Sequence, residues 1–185
     1  MINVVLFEPE IPGNTGNIMR TCVATNTTLH LIKPLGFSLD DSYIKRSGVN
    51  YIKDCNYFVY ENIDDFYSKN EGEFYYFTRY GHKPHTSFNY SDKSKNYYFF
   101  FGKESTGIPP KLLKPHLDRC ARLPMTDKVR ALNLSNTVAI VVYEALRQQD
   151  YNDLLFNEPH KSIILSNITI EYLDIFFFKN FVSKN

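Results

Sequence analysis

Three stretches of this chain concentrate the residue types that chemistry uses. Residues 8–22, EPEIPGNTGNIMRTC, set two carboxylates, two prolines, two glycines and two asparagines ahead of Arg20. Residues 102–110, GKESTGIPP, hold Glu104 between Gly102 and Gly107 and end on Pro109 and Pro110. Residues 124–133, PMTDKVRALN, lead into Asn133 and Ser135. Glycine and proline enforce special turns in which backbone N–H and C=O groups face outward, toward a ligand. Pro9 and Pro12 stiffen the first stretch, Gly13 and Gly16 allow a tight approach, and Asn14 or Thr15 is placed to cap a helix. Asn133 and Ser135 open another helix, where exposed N–H groups favour capping or an anion. Arg20 is a permanent cation about a turn and a half inside the first helix, facing either a ligand or the carboxylates of Glu8 and Glu10.

Other chemistries fail for lack of their residues. No G-x-G-x-x-G follows the first apolar run and no G-x-x-x-x-G-K-[ST] occurs, which excludes the dinucleotide and P-loop fingerprints. No G-x-S-x-G elbow is present. His82 and His85 form H-x-x-H without a cysteine or carboxylate at ligand spacing, so no metal is expected. His30 sits in an apolar run and reads as a satisfied interior imidazole. Cys22, Cys55 and Cys120 are too scattered for a disulfide framework or a zinc site.

The elements that must position these loops follow from apolar runs bounded by turn residues. INVVLF (2–7), TLHLIK (28–33), FYYFT (74–78), YYFFFG (97–102) and CARLP (120–124) are short, β-branched or aromatic and mostly unalternated, as strands covered on both faces are. Helices are expected over 14–25, 40–47, 62–69, 107–117 and 133–148. This alternation implies an α/β fold with a mainly parallel sheet flanked by helices. Ligands of such sheets lie beyond the carboxyl ends of the strands, where all three stretches fall.

The 185 residues suffice for one well-filled core, and no linker composition divides them. Aromatic content of 16% suggests packed or stacking rings, and a formal charge of +1 leaves any nucleic-acid contact to local patches. Lys45-Arg46, Arg79-Tyr80, Lys83, Lys111, Lys114 and Lys128-Arg130 are the candidates for such patches. The start, MINVVLFEPE, has no basic segment of a secretory signal, and the apolar tail is interrupted by Asn167, Glu171, Asp174 and Lys179. A cytoplasmic protein without membrane contact is expected, with the tail forming a packing element.

FEPEIPGNTGNIMRTC, FFFGKESTGIP and RLPMTDKVRALNLSNTVAIVVYEALRQ together resemble the three motifs of the SpoU branch of the SPOUT RNA methyltransferases. Within that branch the chain is similar to the small tRNA wobble-ribose 2'-O-methyltransferases of the TrmL/YibK group. The likeness covers residues 1–150, leaving 151–185 as an extension packed on the methyltransferase domain. It implies a C-terminal deep trefoil knot, S-adenosyl-L-methionine as cofactor, a homodimer, and a tRNA anticodon stem-loop as partner. The implied reaction moves a methyl group to the ribose 2'-OH of cytidine or uridine 34. The same chemistry at another tRNA or rRNA position, or a catalytically weak RNA-binding module, are the alternatives. Carried over by motif, Arg20, Asn14, Glu104 and Asn133 are catalytic positions, and Phe77, Gly102, Leu123, Met125, Ala131 and Leu132 cradle the cofactor. Glu104 would either lie near the sulfonium or order its loop, and Gly102 would admit the cofactor where a Cβ would block it. The family commonly has Ser where this chain has Ala131.

Overall fold

The structure is a computed structural model describing residues 1–39 and 53–157. The expected helix at 40–47, the Lys45-Arg46 pair and the apolar tail beyond residue 157 lie outside the described residues. The chain gathers into two units, Met1–Asn152 and Asp153–Asn185. All that follows concerns the first.

Seven strands form one sheet: β1 (Ile2–Phe7), β2 (Thr28–Ile32), β3 (Tyr57–Tyr60), β4 (Glu73–Phe77), β5 (Lys83–Pro84), β6 (Tyr97–Phe101) and β7 (Cys120–Arg122). Their order is β3-β2-β1-β6-β4-β7-β5, and every pairing is parallel. All six residues of β1 and all five of β6 are buried, which is why these runs lack alternation. The helices are α1 (Pro12–Ala24), α2 (Ile63–Lys69), α3 (Pro110–Leu113) and α4 (Leu134–Gln148). Val5, Phe7, Tyr76, Tyr98 and Phe100 pack on one sheet face around Phe66 of α2, with Leu113 of α3. On the other face α1 packs against α4, which also meets β1. Among the described residues the aromatic rings are mainly core: Phe66 alone meets Tyr60, Phe74, Tyr98 and Phe100 edge-on, a favoured ring geometry.

Three expectations are corrected. The short β3 and β5 are not among the expected strands: β3, YFVY, is a four-residue apolar run left out of that set, with Phe58 half exposed, and β5 is only two exposed residues. The helix expected over 107–117 is a single turn, α3, followed by a 3-10 segment, Lys114–Arg119. Pro115 and the non-helical His116 (φ −129°, ψ 28°) stop it from continuing. α1 starts at Pro12, where proline's missing N–H costs nothing, so Asn14 and Thr15 are inside the helix and do not cap it.

His30 is an interior imidazole with both nitrogens engaged. Nδ1 lies 2.9 Å from the Tyr60 hydroxyl and Nε2 3.2 Å from Asn3 Oδ1. The Asn3 amide nitrogen donates to Tyr97 O at 3.2 Å, so its Oδ1 accepts and His30 carries its proton on Nε2. Burial pushes the pKa of His30 down to about 4 from the usual 6.5. The three cysteines are free and buried.

Candidate active site

The loops leaving β1, β4, β6 and β7 meet at the carboxyl edge of the sheet and enclose a cavity of about 380 Å³. β1 and β6 are neighbours in register, Leu6 beside Phe101, so the loops that follow them emerge side by side. They are fastened residue by residue. Lys103 Nζ donates to Glu8 Oε2 at 2.6 Å. Glu10 accepts from Ser105 N at 2.9 Å and from Ser105 Oγ at 2.8 Å, which holds its carboxyl below the usual carboxylate range. Both carboxylates suggested as partners of Arg20 are thus committed to the second loop. Within that loop Gly107 N donates to Lys103 O at 2.8 Å. A Cβ on Gly102 would fall within the main chain of Gly107 and Ile108, so a backbone crossing by itself already demands glycine here.

Glu104 reaches back to the amino end of α1. Its Oε2 accepts from Glu10 N at 2.9 Å, and its Oε1 from Ile11 N at 3.3 Å and from Asn14 Nδ2 at 2.9 Å. Ile11, at the helix boundary, offers no side-chain cap, so this carboxylate supplies the negative charge that the helix amino end favours. From the third loop, Asn133 caps α4: its Oδ1 accepts from Ser135 N and Oγ at 2.9 and 2.6 Å and from Asn136 N at 3.4 Å. Its Nδ2 is left to donate to Asn14 Oδ1 at 2.9 Å. A directed chain, Asn133 to Asn14 to Glu104, therefore joins all three loops, with Asn14 buried at its centre.

Asn14, Glu104 and Asn133 line the cavity, together with Phe77 and Gly102 at the ends of β4 and β6. Leu123, Met125, Ala131 and Leu132 line its third side. Residues 123–133 follow neither helix nor strand, so their backbone groups are not bound into a ladder. Arg20 is not brought there. Six residues from Asn14, it lies with Asn17 and Ala24 on the exposed face of α1. The cavity residues Lys103, Ile108, Arg122 and Thr137 were not named as site residues; all four lie within the three motif stretches, and that membership is the signal that could have found them.

A parallel sheet whose strand-exit loops build one largely apolar cavity, closed by a carboxylate and two amides, defines the class. The chain belongs to the SpoU rRNA Methylase family, which it matches over residues 1–143. A Bacillus subtilis relative is 55% identical over 154 residues, 83% of this chain and 96% of its own, and is provisionally named tRNA (cytidine(34)-2'-O)-methyltransferase. Among solved structures, a provisionally assigned RNA methyltransferase from Bacillus anthracis is 55% identical with a TM-score of 0.81, over 85% of this chain and 100% of that one. Another, described as giving insight into 2-OH methylation of C/U34 on tRNA, is 33% identical with a TM-score of 0.76, over 81% and 97%. Among the described residues no helix is long and apolar enough to cross a membrane, and no cluster of His, Cys, Asp and Glu could hold a metal ion.

Proposed function

We propose that this chain is an S-adenosyl-L-methionine-dependent tRNA methyltransferase that modifies the ribose 2'-OH of the wobble nucleotide, cytidine or uridine 34. The observation that carries the proposal is the convergence of the three family motifs on one cavity, in a chain with relatives named for that reaction. The methyltransferase domain in this reading is residues 1–150, supported by the family match to residue 143. A cytoplasmic location fits a tRNA substrate.

The cavity suits the cofactor in size and lining. About 380 Å³ falls in the range of small-molecule sites, and Phe77, Leu123 and Met125 offer apolar walls beside the open backbone of the third loop. Bound there, S-adenosyl-L-methionine would supply an electrophilic methyl group on a sulfonium. Gly102, Ala131 and Leu132 would hold it mainly through main-chain groups, so the lack of a hydroxyl at Ala131 leaves that hold intact. The chain from Asn133 through Asn14 to Glu104 keeps the loops in fixed relation, which favours the positioning that methyl transfer needs.

Arg20 has a separate task in this reading. A guanidinium does not give up its proton in proteins, so Arg20 orients the ribose hydroxyl and stabilises the developing alkoxide without acting as base. Its place on the outer face of α1, off the cavity of its own chain, supports delivery to the site of a second copy. The homodimer is supported further by Ile140 and Tyr143, three residues apart on α4 and 41% and 47% exposed. The deep trefoil knot belongs to the same reading, supported by the fold likeness and by the 123–133 segment sharing a cavity with the 102–107 loop.

Labelled cofactor, total RNA containing both tRNA and ribosomal RNA, and purified protein, followed by mapping of alkali-resistant linkages, test the reaction. Label at position 34 is the expected result. Label only in ribosomal RNA would relocate the substrate, and cofactor binding without label would leave an RNA-binding module. Arg20→Ala is expected to lower kcat at least 100-fold, the worth of a lost transition-state donor, while product affinity in the cavity stays unchanged.

A further inference from the structure

The turn leaving β4 carries Arg79 and Tyr80 to the rim of the cavity. It is held firmly against β7. Thr78 N donates to Ala121 O at 2.9 Å, Gly81 N donates to Thr78 O at 3.1 Å, and Gly81 lies against the Ala121 main chain so closely that no Cβ would fit. The Arg79 guanidinium sits 4.6 Å from the centroid of the Tyr80 ring and also donates to the Tyr80 hydroxyl. Among the described residues lining the cavity there are three aromatics. Phe77 and Phe101 are buried in the sheet, whereas Tyr80 is 56% exposed. An exposed ring backed by a cation on a fixed turn has already lost the freedom that binding would otherwise remove.

The reaction proposed above creates a need for such a ring. A ribose hydroxyl reaching into the cavity carries its base with it, and that base must leave the stack of its neighbours. Proteins that hold splayed bases compensate for the lost stacking with aromatic faces and guanidinium planes. Arg130, exposed and lining the same cavity, adds a cation suited to the adjoining phosphate. We propose that Tyr80, fixed by Arg79, is the platform on which the base of the acceptor nucleotide stacks while its ribose enters the cavity. The inference rests on the RNA methyltransferase reading and adds a recognition residue to it. Since every base has a π face, the platform orients the nucleotide without choosing between cytidine and uridine. The donor's adenine is the competing occupant, but the apolar walls at Leu123 and Met125 serve it, whereas Tyr80 stands at the entrance.

The test compares wild type, Tyr80→Ala and Tyr80→Phe in three measurements. These are methyl transfer to an anticodon stem-loop, calorimetric binding of S-adenosylhomocysteine without RNA, and fluorescence of a stem-loop with pyrrolocytidine at position 34. Tyr80→Ala is expected to lower kcat/KM for the stem-loop about 5- to 150-fold, the range for one base stacked on one ring. Product affinity should stay within about twofold, Tyr80→Phe should recover most of the loss, and quenching of the probe should disappear in Tyr80→Ala alone. An unchanged kcat/KM in Tyr80→Ala overturns the inference. So does a parallel fall in product affinity, which would put the ring on the donor's adenine. Tyr80-dependent quenching in a wild type that methylates no tRNA would sustain the platform and refute the assigned reaction, so the two claims fail separately.

Discussion

Asn14 sits between two groups that fix its orientation. Asn133 spends its oxygen on the first turn of α4, so its amide nitrogen donates to Asn14, and Asn14 in turn donates to Glu104. Asn14→Asp would place a carboxylate within hydrogen-bond distance of the Glu104 carboxylate and replace a charge-assisted bond by repulsion. A loss of about 2 to 3 kcal/mol in urea unfolding is expected. Adding Glu104→Gln should recover part of it, a positive coupling that a double-mutant cycle would register. Equal effects of Asn14→Asp and Asn14→Ala would show that the chain of bonds has no direction. At this scale sequence located the participants, since Asn14, Glu104 and Asn133 stood out by motif, but it misassigned the cap of α1. There the accepting oxygens belong to Glu104, some 90 residues away, and local propensity carries no trace of it.

The elements show where local patterning suffices. β1, β2, β4, β6 and β7 were legible because a strand covered on both faces must be an apolar run. α3 was not, because its prolines and His116 outweigh an apolar periodicity that reads as two turns more. The cavity was legible as a set of strand-exit loops, while the exposed face of α1 that carries Arg20 was not separable from it until the helix start was known. Gly102 tests how tightly the elements meet. Gly102→Ala must push the main chain of Gly107 and Ile108 aside, and a cost of about 3 kcal/mol in thermal or urea unfolding is expected. A fully stable Gly102→Ala protein with unchanged cofactor affinity would contradict the crossing.

Across the whole molecule, His30 ties stability to pH. An unfolded histidine takes up a proton below about 6.5, whereas the folded one resists until about 4. The unfolded chain therefore binds more protons between those values. Stability from this source is complete above pH 6.5, falls as the pH drops toward 4, and changes no further below it. The total is on the order of 3 kcal/mol. Urea midpoints of wild type and His30→Gln across pH 7 to 4 should diverge in that window, and parallel curves would rule His30 out as the source.

The all-parallel order of strands has a consequence for biosynthesis. β1 is among the first segments made, and although β2 follows soon at Thr28 to pair with one edge, the partner of its other edge, β6, begins only at Tyr97. No hairpin can occupy it meanwhile, since antiparallel neighbours are absent from the described sheet. At ordinary translation speeds that second edge of the greasy hexapeptide waits roughly 5 to 20 s for its mate. Ribosomes arrested before codon 97 should thus display chains that holdase chaperones capture, and arrest after α4 has emerged should release them.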